Sequence, residues 1–211
     1  MSPDSGAETR RLLVEAASHA FAEHGTTNAS LLDITRQAGQ RNRGAVHYHF
    51  GSRDGLVAAV LDQHATYLGE RERALLGRAR ERPDDLTAAV EAIARPMTEL
   101  SEASTSGRHY VMILAELVAD ERTEINPDVR GALERTGGYE VFDEIRARMP
   151  DMPEDLLEER ILLMTGFLLR AISDRARALG KSEPGRPQLP TEHFVANLLR
   201  MVVAMLSAPQ E

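Results

Sequence analysis

Apolar residues recur at three- and four-residue intervals along nearly all of the 211-residue chain, so the pattern predicts helix after helix and no strand. A first helix, beginning near Ala7, carries Leu12, Leu13, Ala16, Ala17, Ala20 and Phe21 as its stripe and closes at Gly25. Leu31, Ile34 and Ala38 mark a short second helix, with Ser30 as its N-cap and Asp33 at the positive end of the helix dipole. Gly39 stops it, and Gln40-Arg41-Asn42-Arg43 turn a corner. The third helix has Ala45, Val46 and Phe50 as inward residues and His47, Tyr48 and His49 as polar or amphipathic ones. Two short helices at a glycine corner are the helix-turn-helix layout, in which the second helix enters the DNA major groove.

The remainder reads as helix too. Arg53 to Arg80 is expected as one long helix bearing Leu56, Val60, Leu61, His64, Leu68, Leu75 and Leu76. Arg82-Pro83-Asp84-Asp85 starts another, which Pro96 should kink. Ser101 to Gly107 reads as a loop, followed by an apolar helix from Tyr110 to Asp120 with Glu116 set inside it. Asn126-Pro127 opens a helix reaching Met149, with Gly137-Gly138 in its middle. Beyond a break at Pro150–Pro153 comes a helix to Leu179 that is apolar nearly all round, with Gly166 permitting close approach of a neighbour. A polar loop from Gly180 to Pro190 leads to the last helix, which stacks Phe194, Leu198, Met201 and Met205. The expectation is an all-α fold of about nine helices, with residues 1–52 as the helix-turn-helix domain and 53–211 as a larger helical domain. The wide apolar surfaces of segments 155–179 and 192–206 point to a homodimer through a four-helix bundle; the alternative is that both finish the monomer core.

Charge changes the picture only when divided by region. The net charge of -8 sits ill with DNA binding, yet the first 60 residues hold six arginines and six acids and are neutral. Arg41, Arg43 and Arg53 fall on the expected DNA face, and local sign decides contact with phosphates. Cysteine is absent, which removes disulfides, thiolate metal sites and cysteine nucleophiles together. The polar opening MSPDSGAETRR has no apolar signal core and no run is long enough to cross a bilayer, so a cytoplasmic protein is expected. There is no G-x-S-x-G, H-E-x-x-H or glycine-rich phosphate loop, so neither an enzyme nor a cofactor is expected. His47 and His49 lie two apart and do not share a helix face, so no metal site is expected there.

The order Thr9-Arg10, Ala17-x-x-x-Phe21-Ala22-Glu23-x-Gly25, Ser30-x-x-Asp33-Ile34, Ala38-Gly39 and Ala45-Val46-His47-Tyr48-His49-Phe50-Gly51-Ser52-Arg53 resembles the N-terminal domain of TetR-family transcriptional regulators. The resemblance covers roughly residues 9–60 and departs from the family at Thr26, at Ala29 and in a corner one residue longer than usual. It implies a regulator, most often a repressor, that binds a palindromic operator as a dimer through its last two long helices and leaves it on binding a small molecule. A constitutive architectural DNA-binding protein and an all-α interaction module are the alternatives. The corner places Arg41, Asn42 and Arg43 where side chains reach base edges, with Asn42 equally suited to capping the third helix. His47 projects one turn later toward bases or phosphates. Tyr48 matches the family's phosphate-contacting tyrosine, and Arg53 matches its basic residue at the start of the fourth helix, a phosphate clamp. Tyr67, Met97, Tyr110, Met112, Glu116, Phe142 and Phe167 are candidates for an effector pocket, each of them equally a core residue. The effector would act on the long helix beginning at Arg53 and change the separation of the two recognition helices.

Overall fold

Eleven helices, and no strand among the described residues, make up the computed structural model, which describes residues 3–119, 126–136, 138–183 and 185–210. The first three are α1 (Pro3–His24), α2 (Leu31–Gln37) and α3 (Ala45–Phe50). They pack with α4 (Arg53–Asp62) around Leu13, Phe21, Ile34, Val46 and Leu56, all buried. Local chemistry sets their ends. The Ser30 hydroxyl accepts the Asp33 N–H at 3.2 Å to start α2. Gly39, at φ 70°, reverses the chain after it, its N–H donating to the Arg36 carbonyl while Gln40 donates to Thr35. Ser52 then caps α4 by accepting the Gly55 N–H at 3.0 Å.

Beyond α4 the chain continues as a helical body of α5 (Ala65–Arg80), α6 (Leu86–Ala103), α7 (Thr105–Ala119), α8 (Pro127–Glu134), α9 (Gly138–Arg146), α10 (Glu154–Leu179) and α11 (Thr191–Leu206). Helix α6 packs against α5, α7, α9, α10 and α11 and is its centre. Helix α7 also lies on α1, and α8 on α4, so the two domains share a broad contact.

The count of eleven rather than nine comes from two long segments that break. The expected Arg53–Arg80 helix is interrupted at Gln63–His64, because His64 turns inward to bond Ser106 Oγ at 2.9 Å and to meet the Tyr110 ring edge-on at 5.5 Å. Burial lowers the His64 pKa, which keeps that imidazole neutral. The expected Asn126–Met149 helix divides at Arg135–Thr136, where the Thr136 hydroxyl donates to the Leu133 carbonyl at 2.6 Å. Of the two glycines expected there, Gly137 lies outside the described residues, as does Asp120. The Ser101–Gly107 loop shrinks to Ser104, whose hydroxyl accepts the Gly107 N–H at 2.9 Å and so starts α7 directly after α6. Gly107 lets the helices cross there, since a Cβ on it would strike the Leu100 carbonyl. Pro96 is accommodated within α6, which continues to Ala103.

The face of α11 differs from the expected one. Val195, Leu198, Leu199, Val202 and Leu206 are buried, while Met201 is 47% exposed. Leu162 and Leu163 of α10 are likewise exposed, and nothing lies within 4 Å of where a Gly166 Cβ would sit. Within one chain, then, Gly166 has no close neighbour. Arg160 joins the two helices by donating to the Leu206 and Pro209 carbonyls, at 3.0 and 3.3 Å.

Candidate nucleic-acid interface and ligand cavity

Helix α3 is pinned on one side and bare on the other. Ala45 and Val46 are buried, whereas Arg41, Asn42, Arg43, His47 and Tyr48 are all exposed, Tyr48 by 76%. The corner owes its shape to Asn42, whose Oδ1 accepts the Gly44 N–H at 2.9 Å and whose carbonyl accepts the Ala45 N–H at 3.0 Å. Gly44, not Asn42, is the N-cap of α3 and has no side-chain cap, so the Asn42 oxygen shapes the turn ahead of the helix, and its amide nitrogen makes no hydrogen bond among the described residues. Arg10 was not foreseen: it donates to the His49 carbonyl at 3.2 Å and lies 4.5 Å over the Phe50 ring, fixing the end of α3 against α1. Arg41 and Arg43 make no ion pair or hydrogen bond among the described residues, while the nearby Asp33 is already paired with Arg36. Two unneutralised guanidinium groups beside a bare helix face suit a polyanion.

A separate cavity of about 180 Å³ lies inside the larger domain. Three of the candidate residues, Met97 of α6, Tyr110 of α7 and Phe142 of α9, line it along with Ile93, Leu114, Met164 and Leu168. The structure does not bring the other four candidates there. Tyr67 is exposed and donates to Glu99, Met112 lies off the cavity, and Phe167 faces the groove between α10 and α11. Glu116 lies outside the cavity, at the domain junction. The residue that sequence reasoning missed is Glu72 of α5, which is 1% exposed, with both carboxylate oxygens unpartnered. Burial pushes its pKa up from 4.5 to about 8. The Tyr110 hydroxyl is buried and unpartnered as well, and burial together with Glu72 raises its pKa far above the ordinary phenol range. The sequence did hold a signal for Glu72: it falls on the stripe Leu68, Leu75, Leu76 and Ala79.

Two family models match successive parts of the chain: residues 13–60 match the bacterial regulatory proteins of the tetR family, and residues 91–205 match the tetracyclin repressor-like C-terminal domain. The chain belongs to the TetR family. The probable HTH-type transcriptional regulator ArpR of Pseudomonas putida is 40% identical over 80 residues, covering 37% of this chain and 35% of that protein. The match thus spans about a third of the length of this curated relative, and a still smaller share, 29%, of TtgR from the same species. Solved structures agree in fold along the whole length. NalD, the secondary repressor of the MexAB-OprM multidrug efflux pump in Pseudomonas aeruginosa, is 23% identical with a TM-score of 0.52, covering 99% of this chain and 100% of that one. AibR, solved with isovaleryl coenzyme A and operator DNA, is 13% identical with a TM-score of 0.57, covering 96% and 100%.

In this TetR-family chain the two domains meet where Glu116 accepts two hydrogen bonds, from the Thr26 N–H at 2.8 Å and the Thr26 hydroxyl at 3.1 Å. Gly25 makes room, at φ 84° and with the position of its missing Cβ only 2.9 Å from Glu116 Oε1. Arg53 belongs to the same junction. Its Nη1 donates to the Thr26 carbonyl at 2.9 Å and the Ala29 carbonyl at 2.7 Å, so it anchors the α1–α2 loop. On the other side Asn126 donates to Asp54 at 2.9 Å, and Arg135 pairs with Asp62 at 2.7 Å, tying α8 to both ends of α4. No helix among the described residues is long and apolar enough to cross a membrane.

Proposed function

We propose that this chain is a sequence-specific DNA-binding transcriptional regulator, acting as a homodimeric repressor that a small molecule releases from an inverted-repeat operator. The observation that carries it is the bare face of α3, with Arg41, Arg43, His47 and Tyr48 exposed and Ala45 and Val46 buried beneath. In this reading Arg41 and Arg43 contact guanine edges or phosphates, Asn42 offers its free amide to a base, and His47 and Tyr48 reach the backbone. Arg53 in this reading positions the α1–α2 loop through Nη1, which serves two carbonyls, and that anchoring takes the place of a phosphate clamp. Residues 1–52 are the reading head and 53–211 the regulatory body. Exposed Leu162, Leu163, Gly166 and Met201 form the surface on which a second copy docks, giving the four-helix bundle of α10 and α11.

The route from effector to DNA runs through α7 and α8 and not along one helix from Arg53. Both line the cavity, through Leu114 and Leu133; α7 holds the reading head directly, through Glu116 and Thr26, and α8 holds it by way of α4, through Asn126 and Asp54. Helix α4 itself contributes no residue to the cavity lining. Footprinting of the DNA upstream of the protein's own gene, across a salt series, tests the reading. Protection of an inverted repeat, weakening steeply with salt and lost in Arg43→Ala, is the expected result. Uniform, sequence-independent binding in a genome-wide selection of bound fragments would refute it.

A further inference from the structure

We infer that the cavity inside the larger domain takes a small hydrophobic amine, no larger than about one ring and a short arm, with Glu72 as its counter-ion and the Tyr110 hydroxyl as its second polar contact. This rests on the effector-gated reading above and names the chemistry of the effector. The walls of this cavity carry an unmet need. Among the described residues, four buried side-chain polar atoms have no partner, and three of them are Glu72 Oε1, Glu72 Oε2 and Tyr110 Oη on the walls of this one cavity. A buried carboxylate with no cation or donor is costly, and natural cores seldom keep one without use.

Among the described residues no arginine or lysine lines the cavity, and nearby arginines are held elsewhere. Arg71, next to Glu72 in sequence, is held by Glu99 through two bonds of 2.7 and 2.8 Å. Arg135 is held by Asp62, and Arg148 by Glu144. His64, which meets Tyr110, is kept neutral by burial, and Thr136 spends its hydroxyl on the Leu133 carbonyl. The charged group facing Tyr110 besides Glu72 is Asp62, which adds negative potential. An anionic ligand would find no cation among these walls and would meet like charge wherever Glu72 ionises.

Size and lining fit such a ligand as well. At about 180 Å³, the space exceeds the roughly 150 Å³ of an apolar cavity that admits benzene. Ile93, Met97, Leu114 and Met164 give it apolar walls, and Phe142 and Tyr139 add aromatic rings, a side-chain type that attracts cations. Tyr139 is 55% exposed, so the cavity reaches the surface beside α9.

The proton balance follows. With the cavity empty near neutral pH, Glu72 is held largely as the neutral acid, since its pKa is about 8. A ligand ammonium binds the carboxylate, and the proton leaves to solvent. Affinity for an amine thus rises with pH toward 8, whereas a neutral ligand, bound by the protonated acid, shows the opposite slope.

The test is calorimetric titration of the full-length protein with benzylamine, benzyl alcohol and phenylacetate at pH 6, 7 and 8, repeated in two buffers of different ionisation heat. Benzylamine is expected to bind at least tenfold more tightly than the alcohol at pH 8, with proton release near one per site at pH 7 and with phenylacetate weakest. Glu72→Gln should erase the preference, and Glu72→Leu should keep the fold and lose the amine. The inference is overturned if the alcohol or the acid binds as well as the amine, if no probe binds, or if the amine preference survives Glu72→Gln. Should Glu72→Gln fail to fold, the ranking and proton count of the unaltered protein decide alone. Benzylamine bound with this signature but without effect on the operator footprint would uphold the ligand class while refuting the effector-gated reading.

Discussion

Replacing Glu116 by alanine isolates the joint between the cavity-bearing body and the reading head. Glu116 is the sole acceptor shown for the Thr26 N–H and hydroxyl, and Thr26 is only 6% exposed. Hydrogen bonds to a charged acceptor are worth roughly 1.5–3 kcal/mol each, and an orphaned buried N–H costs about 1–3 kcal/mol. Glu116 itself is half-buried, so water repays part of the loss, and we expect about 2 kcal/mol, equivalent to roughly thirtyfold in the local opening equilibrium. Amide hydrogen exchange reads this directly. The Thr26 amide should exchange about thirtyfold faster in Glu116→Ala and less so in Glu116→Gln, which keeps an acceptor without the charge. Amides in α10 and α11 should be unaffected. A rise below about threefold at Thr26, or an equal rise throughout the molecule, would show that the Glu116–Thr26 contact does not hold the domains together.

Four further outcomes follow. Glu72 has a folded-state pKa raised above its ordinary 4.5 to about 8, so its contribution to stability is full below pH 4.5 and is lost as pH climbs to 8, at up to roughly 1.4 kcal/mol per pH unit. Urea unfolding from pH 5 to 8.5 should therefore show Glu72→Gln gaining on the unaltered protein as pH rises, and a constant difference would refute the assignment. Arg53→Ala should weaken operator binding without changing its salt slope, whereas loss of a true phosphate contact would lower that slope by about one. Leu163→Glu should convert a dimer to a monomer in sedimentation velocity, and an unchanged mass would remove α10 from the interface. Gly107→Ala should cost about 1–3 kcal/mol in denaturant unfolding, because its Cβ meets the Leu100 carbonyl where α6 and α7 cross.

What the sequence made legible was whatever local chemistry decides. Ser30, Gly39 and the pair Ala45–Val46 announce the reading head, because a cap, a left-handed glycine and a two-residue inward face need no distant partner. The break at His64 was not legible, because its cause, Ser106 and the Tyr110 ring, lies about forty residues away. Arg53 shows the same limit. At the start of a helix beside a DNA-reading corner, arginine is equally suited to phosphate and to carbonyl, and only the fold brings the carbonyls of Thr26 and Ala29 to it. Glu72 was hidden by its neighbours: in the run Glu70-Arg71-Glu72-Arg73 it resembles a solvated face, and only its phase with Leu68 and Leu75 sets it apart. The departure at Thr26 becomes intelligible as well, since a threonine there supplies the hydroxyl that Glu116 accepts.

The geometry of α7 makes a mechanical claim about how the cavity speaks to DNA. Tyr110, Leu114 and Val118, each four residues apart, form its cavity face, while Glu116, two residues from Leu114, points the other way toward Thr26. The helix is the wall between the ligand and the reading head, and α1 lies against it through Ser18 and His109. A ligand can shift operator binding only by its differential affinity for two arrangements of this wall. If it moves α7 with the Thr26 bonds intact, the reading head is carried along. In that case Glu116→Ala yields a protein that still binds operator and ligand but no longer couples them. If the ligand instead breaks the bonds, Glu116→Ala mimics it and operator affinity is low from the outset. The two hydrogen bonds favour carriage over breakage. Losing them would leave a buried Thr26 N–H unpaired, a cost that a rigid-body shift of α7 avoids. Operator titrations of Glu116→Ala with and without ligand separate the two, since only carriage predicts strong binding that the ligand cannot relieve.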